Sequence, residues 1–388
     1  SQIASVFVLV RAGAIDEKQP GQSGLSHFLE HMLFKGSAKY PQGLFAAAEK
    51  YGAEMNASTG KQFTSYYINV PSEYIYEAIE MLSDAVTAPL FPQETIDRER
   101  NVIIEELYMR RDWTGFKLAE ILEDKLYQGG VMKNNIGGDV STISKVKRED
   151  LIEYYNSHYL PSRMTVSVSG GFDYKKAKKV LKDTFGKIAK RQSENDPNLT
   201  IENPKGANLT IRDNISAGSA AIAFLGPDNN SAEITVAAFA ANVLYAELYK
   251  SLKIKRDLLN SIDVSFDATL GNGAFYIEYS FNPKHLNKIR AEIERQIADI
   301  LENGISTEAL NRAKISFKTA SSFGLERQDN IAYNAAFWLS LNRKEFADPD
   351  AYLKEIDKVS AEDIRKFFKK YYSKEKTVAV TMLPRKAK

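Results

Sequence analysis

The chain has 388 residues, with 52 Lys+Arg against 50 Asp+Glu, no cysteine and only four histidines. Its 44% hydrophobic and 26% charged residues describe a globular chain long enough for two cores, and exclude disordered, collagen-like and disulfide-scaffold classes. A formal charge of +2 argues against nucleic acid as a partner, and the absence of thiols removes cysteine nucleophiles, Cys-ligated zinc and iron–sulfur clusters.

No apolar run reaches the ~18 residues of a membrane span. The chain opens at Ser1 and almost at once enters a predicted strand at Val6–Val10. With no Met at the start, an upstream segment is expected to have been removed. A soluble protein is expected, of either cytoplasm or periplasm.

The next element is a helix containing His27-Phe-Leu-Glu-His31. Positions i, i+3 and i+4 share a helix face, so both imidazoles and the Glu30 carboxylate point the same way. Gly21-Gln-Ser-Gly-Leu-Ser precedes it as a loop, with Ser23 or Ser26 available as cap. Two histidines one turn apart suit zinc, and the order His-x-x-Glu-His is the inverzincin signature, with the Glu free to act as base.

A catalytic zinc needs a third protein ligand and an open position for water. The helical run Glu99-Arg-Asn-Val-Ile-Ile-Glu-Glu106-Leu supplies candidates. Val102, Ile103 and Leu107 form its apolar stripe, Glu99 and Glu106 lie along that stripe, and Glu105 is rotated away. Carboxylates on a core-facing stripe are costly unless paired. Either Arg98 and Arg100 or a bound cation would meet that need.

An internal repeat organises the rest. The run from Ile143 through Tyr159, and the run from Ile356 through Tyr372, match without a gap; a Thr-Val-rich strand follows each. Each is a capped helix, with Lys147 or Ser360 before an acidic first turn. The period is too long for a solenoid and indicates a duplicated domain. A polar stretch with Pro204 and Gly206 separates the copies. The second restarts with a strand at Ala220–Leu225 and carries a hairpin around Gly271-Asn-Gly. The expected fold is α+β: two homologous domains, each a mostly antiparallel sheet with packed helices. Residues 1–192 are expected to form a catalytic zinc-binding domain, 193–207 the linker, and 208–388 a homologous domain without metal that completes the substrate cleft.

His27-Phe-Leu-Glu-His-Met-Leu-Phe-Lys-Gly closely resembles the M16 family of zinc peptidases. That family follows the motif with a Glu-x6-Glu helix some seventy-odd residues on, and 74 residues lie between His31 and Glu106. The resemblance implies Glu106 as third ligand and Glu99 as a support that orients the site. Gly52-Ala-Glu-Met-Asn-Ala-Ser-Thr59 is similar to the family segment leading into the substrate-receiving strand, which implies substrate contacts at Asn56 and Ala57. Gln62 stands where an acidic residue is common in the family. Arg327 and Tyr333 resemble a pair that grips the substrate backbone, one residue short in spacing. The family usually has a strand before the one at Val6, which is not in this sequence.

These readings point to a zinc endopeptidase with one Zn²⁺ per chain, held by His27, His31 and Glu106, with Glu30 as the base. Its substrates are expected to be peptides or unfolded polypeptides bound as an extended strand. Two such domains make half of the closed chamber of the family's long members, so a homodimer or a heterodimer with a related subunit is expected. The alternative is a non-catalytic or partner-dependent subunit of a larger complex. His158 lacks an acidic partner at metal spacing and is expected to be structural, and His285, in a polar turn after Pro283, is expected at the surface.

Overall fold

The computed structural model describes residues 1–19, 21–128, 130–189, 199, 201–269 and 271–385. Of the expected linker, residues 193–198 and 200 lie outside the described residues.

Along the first half run β1 (Ile3–Val10), α1 (Leu25–Leu33), α2 (Leu44–Glu49), β2 (Glu54–Thr59) and β3 (Thr64–Pro71). Then come α3 (Ile75–Thr87), α4 (Gln93–Asp112), α5 (Thr114–Leu126), α6 (Val140–Ile143), α7 (Arg148–His158), β4 (Met164–Gly170) and α8 (Tyr174–Asp183). The second half begins with β5 (Ala207–Asp213), β6 (Gly218–Leu225), α9 (Ile234–Leu248), β7 (Leu259–Asp267) and β8 (Ala274–Phe281). It ends with α10 (Leu286–Asn303), α11 (Thr307–Gly324), α12 (Gln328–Ser340), α13 (Pro349–Lys358), α14 (Ala361–Tyr371) and β9 (Val378–Pro384).

The chain folds into two compact units, and neither is contiguous. The first comprises Ser1–Met109, Asn134–Pro197 and Ser322–Tyr352; the second comprises Arg110–Lys133, Asn198–Ser321 and Leu353–Lys388. Helix α12, from the second half, therefore belongs to the first unit, and α5, from the first half, to the second.

In the first unit the strand order is β2-β3-β1-β4, antiparallel throughout. Strand β1 is a run of apolar residues without alternation, so both its faces need cover. Val6, Val8 and Val10 join the main core with Phe28, Leu29 and Met32 of α1 and Ile79 and Leu82 of α3. Phe7 and Leu9, on the other face, meet Ala332 and Ala336 of α12, whose small side chains let the helix lie close. The exchanged helix is thus what a doubly buried strand requires. Its sequence contains no sign of which sheet it will cover.

The second unit has the order β5-β9-β6-β8-β7, with β5 parallel to β9 and the other pairs antiparallel. Helix α5 packs on β6 and β9, while α9 lies against β7, α10 and α14. The β7–β8 hairpin forms as its alternation predicts. Strand β5 precedes the restart expected at Ala220, and its alternating half-buried and exposed residues suit an edge position. The first unit has no counterpart to it among the described residues.

The repeated segments become α7–β4 and α14–β9. Ser360 and Asp363 form a reciprocal capping box, with Ser360 Oγ accepting from the Asp363 amide and Asp363 Oδ2 from the Ser360 amide. In the first copy Lys147 has no oxygen to offer, and only Asp150 reaches back, accepting from the Lys147 amide at 2.7 Å. No helix among the described residues is long and apolar enough to cross a membrane.

Candidate metal centre

Helix α1 packs Leu25, Phe28, Leu29, Met32 and Leu33 into the core. That leaves His27, Glu30 and His31 on an adjacent stripe; His27 is buried, the other two partly so. The capping differs from expectation. Gly24 occupies the N-cap position at φ 88°, a left-handed conformation suited to glycine, and neither Ser23 nor Ser26 caps by its side chain. Instead Glu17 accepts from the Gly24 amide at 2.7 Å and the Ser26 amide at 2.9 Å. A carboxylate there complements the positive end of the helix. Burial nonetheless pushes Glu17 up to about 7, against the pull of the two amides, with Asp16 adding to the rise.

Ser26 is spent otherwise, sharing a 2.7 Å hydrogen bond with the Tyr154 hydroxyl, which also donates to the Gly13 carbonyl. Beneath, Arg163 Nη1 meets Asp16 Oδ1 at 2.9 Å with both side chains buried. These contacts join the start of α1 to α7 and fix the axial position of the histidine helix.

Helix α4 turns Ile96, Glu99, Ile103 and Leu107 inward. Val102, expected on that stripe, is 41% exposed; its place is taken by Ile96, seven residues before Ile103. Glu106 sits at the border of the buried face and Glu105 points to solvent.

Glu106 Oε2 lies 3.6 Å from His27 Nε2 and 3.7 Å from His31 Nε2. One donor atom from each residue lies within 4.8 Å of the others, and this is the one such group among the described residues. Tetrahedral zinc with ligand bonds near 2.0–2.1 Å separates its donors by roughly 3.4 Å. Both histidine–Glu106 spacings are close to that value, so two imidazoles and a carboxylate could hold the ion once the donors draw together, with a position left for a further ligand.

Glu99 stands behind the cluster with its side chain almost wholly buried. His31 Nδ1 is 3.3 Å from Glu99 Oε2, and Lys35 Nζ is 2.9 Å from Glu99 Oε1. Burial alone would raise this carboxyl, but the Lys35 and His31 hydrogen bonds and charges outweigh it and hold Glu99 below the ordinary carboxylate value. A carboxylate can only accept, so Nδ1 of His31 donates to Glu99, and in the neutral imidazole this tautomer leaves the Nε2 lone pair to a metal.

Glu30 projects beside the cluster, where Thr59 Oγ1 donates to its Oε2 at 2.6 Å. Thr59 is the last residue of β2, one of the two edge strands of the first sheet. Asn56 is exposed and Ala57 half-buried on that strand, and Asn56 Oδ1 accepts from the Ala57 amide. Arg327 and Tyr333 belong to the same unit. Arg327 precedes α12, exposed, and forms two bonds to Asp329, of 2.6 and 3.1 Å. Tyr333 packs edge-on to Phe7 and stacks with Phe337.

The other histidines bind no such group. His158 stacks on Tyr154 and bonds that residue's carbonyl, and burial lowers it below its ordinary value. His285 lies part-buried, its Nδ1 3.4 Å from the Leu258 carbonyl. Sequence reasoning passed over Glu17 and Lys35. Lys35 lies inside the motif that runs from His27 to Gly36, and Glu17 is visible only as an acidic residue seven before the helix N-cap.

Residues 1–140 match the family described as Insulinase (Peptidase family M16), and residues 145–317 match Peptidase M16 inactive domain. Together the two span most of the sequence, and the chain belongs to peptidase family M16. Among its relatives is an uncharacterized zinc protease of Streptomyces coelicolor, 24% identical over 93% of this chain and 81% of that protein. The mitochondrial-processing peptidase subunit beta of Saccharomyces cerevisiae is 26% identical over 93% of this chain and 82% of its own length. That of Dictyostelium discoideum is 31% identical over 55% of this chain and 46% of its own length. A protease from Helicobacter pylori has the same fold, with a TM-score of 0.90 at 18% identity over 99% of this chain and 95% of its own.

Proposed function

We propose that this chain is a zinc-dependent endopeptidase that hydrolyses peptide bonds in oligopeptides or unfolded polypeptide segments. One juxtaposition carries the reading: three donors converge within 4.8 Å, and a fourth side chain, Glu30, stands on the same helix face at the end of an edge strand. The names of relatives such as the Streptomyces coelicolor zinc protease agree with it.

His27, His31 and Glu106 would hold one zinc ion, with Glu99 orienting His31. Bound there, zinc supplies a Lewis acid for the scissile carbonyl and lowers the pKa of a water molecule. Glu30 takes the proton of the attacking water and delivers it to the leaving amine. Thr59 fixes one carboxylate oxygen of Glu30 for that role. An extended peptide pairs with β2 along Asn56 and Ala57, and Thr59 brings that edge to Glu30. Backbone pairing implies loose side-chain preference. Arg327 and Tyr333 grip the substrate only after Arg327 leaves Asp329.

The test is Glu30→Gln: zinc content stays at the wild-type level, while cleavage of an unstructured fluorogenic peptide is nearly lost. A variant with wild-type turnover would remove Glu30 as the base. A second reading, in which the chain acts with a copy of itself or a related chain, is favoured by the subunit names among its relatives. Zinc bound at full occupancy without cleavage by the isolated chain would select that reading.

A further inference from the structure

Glu99 and Glu106 stand seven residues apart on one stripe of α4, and both approach His31. As bare carboxylates they are chemically equivalent candidates for a metal. Their surroundings are not equivalent. Glu99 has both oxygens engaged, Oε1 by Lys35 at 2.9 Å and Oε2 by His31 Nδ1 at 3.3 Å. Glu106 directs one oxygen at the Nε2 atoms of both histidines.

Charge sharpens the contrast. Once His31 ligates a metal it is neutral, so it no longer lends Glu99 a charge of its own, and the metal's charge reaches that carboxylate only across the His31 ring. Arg98 Nε is 3.7 Å away on a side chain 63% exposed, too distant for a hydrogen bond and well screened. Lys35, 32% exposed, is the cation in hydrogen-bonding contact with Glu99 among the described residues. It follows α1 by two residues, and its own amide closes that helix by donating to the Met32 carbonyl.

We propose that Lys35 is a positioning residue that decides which carboxylate ligates the metal. By holding Oε1, it keeps Glu99 as the acceptor of the His31 Nδ1 proton and out of the ligand set, which leaves Glu106 to complete it. The proposal rests on the assignment of His27, His31 and Glu106 as zinc ligands.

The test is zinc affinity of the metal-free protein, measured by competition with a chromophoric chelator at one fixed pH. Lys35→Gln keeps a hydrogen-bond donor and removes the charge. It should weaken zinc binding by about ten- to a hundredfold, and Lys35→Arg should restore it. In a Glu99→Gln background, Lys35→Gln should add no further loss, because the two act as one unit. The visible spectrum of the cobalt(II)-substituted protein should change in Lys35→Gln and return in Lys35→Arg. Wild-type affinity in Lys35→Gln overturns the proposal, as does an equal loss in the Glu99→Gln background. An unaltered cobalt spectrum with lowered thermal stability also overturns it, making Lys35 a purely structural residue. The ligand assignment fails separately, if Glu106→Gln binds zinc as the wild type does.

Discussion

Helix α1 in the first unit and α9 in the second each follow a central strand and pack against the repeated helix, α7 or α14. Helix α1 carries His27, Glu30 and His31. Helix α9 is apolar almost all round, holds no histidine, and has Glu247 as its one acidic residue. The junctions differ in the same sense. In the first unit Glu17, Ser26 and Tyr154 tie α1 to α7 with buried polar contacts. In the second, Tyr154 is replaced at the matching position by Phe367, which packs with Phe224, Phe275 and Phe368. The polar tie there is Glu233 to Lys370 and Tyr371, with Lys370 exposed and Glu233 only half-buried. Both arrangements support a sheet with helices, so the fold does not need the buried polar set. A helix that must present two imidazoles at fixed spacing does, because hydrogen bonds fix position more narrowly than apolar packing.

The largest effect should come from chemistry confined to α1. Glu30→Gln should lower kcat by about two to four orders of magnitude with zinc content unchanged, read by peptide cleavage beside metal analysis. If both fall together, Glu30 supports the site without acting as base. Next, Glu106→Gln should weaken zinc binding strongly while Glu105→Gln leaves it at the wild-type level, since Glu105 points to solvent. Chelator competition ranks the two, and the reverse order would exclude Glu106 as ligand.

The third tests the buried cap. Glu17 ordinarily ionises at 4.5 and is raised to about 7 in the fold, so the native state holds its proton more tightly than the unfolded chain. Its stabilisation is therefore complete below about 4.5 and is lost as pH rises through about 7. Relative to Glu17→Gln, the wild type should lose stability across that window in denaturant titrations at several pH values. A pH-independent difference would show Glu17 charged throughout. The smallest effect is that of Tyr154→Phe, which copies the second unit at Phe367. Loss of the bonds to Ser26 and to the Gly13 carbonyl should cost about 1–2 kcal/mol, seen as a lower denaturant midpoint with unchanged slope. No loss would mean that apolar packing alone holds the α1–α7 junction.

Much of this architecture was legible in local patterns. The His-x-x-Glu-His spacing sets both imidazoles on one face, and the repeat of Ile143–Tyr159 in Ile356–Tyr372 announces the duplication, because both are properties of single helices. Strand β5 and the exchange of α5 and α12 were not legible. They depend on which distant sheet offers an uncovered face, such as the Phe7 and Leu9 side of β1. Glu17 and Lys35 were hidden for a related reason: each acts across a loop or between helices, where no periodicity marks the partner. Val102 shows the limit of the pattern itself, since an apolar residue at helical spacing still faces solvent.

The most direct measurement is cleavage of an unstructured fluorogenic peptide as zinc is returned stepwise to the metal-free protein. Activity should rise in proportion to zinc and saturate at one ion per chain. Cleavage that survives complete metal removal, or that stays absent in the fully loaded protein with and without a related chain, would contradict the proposed zinc-dependent activity.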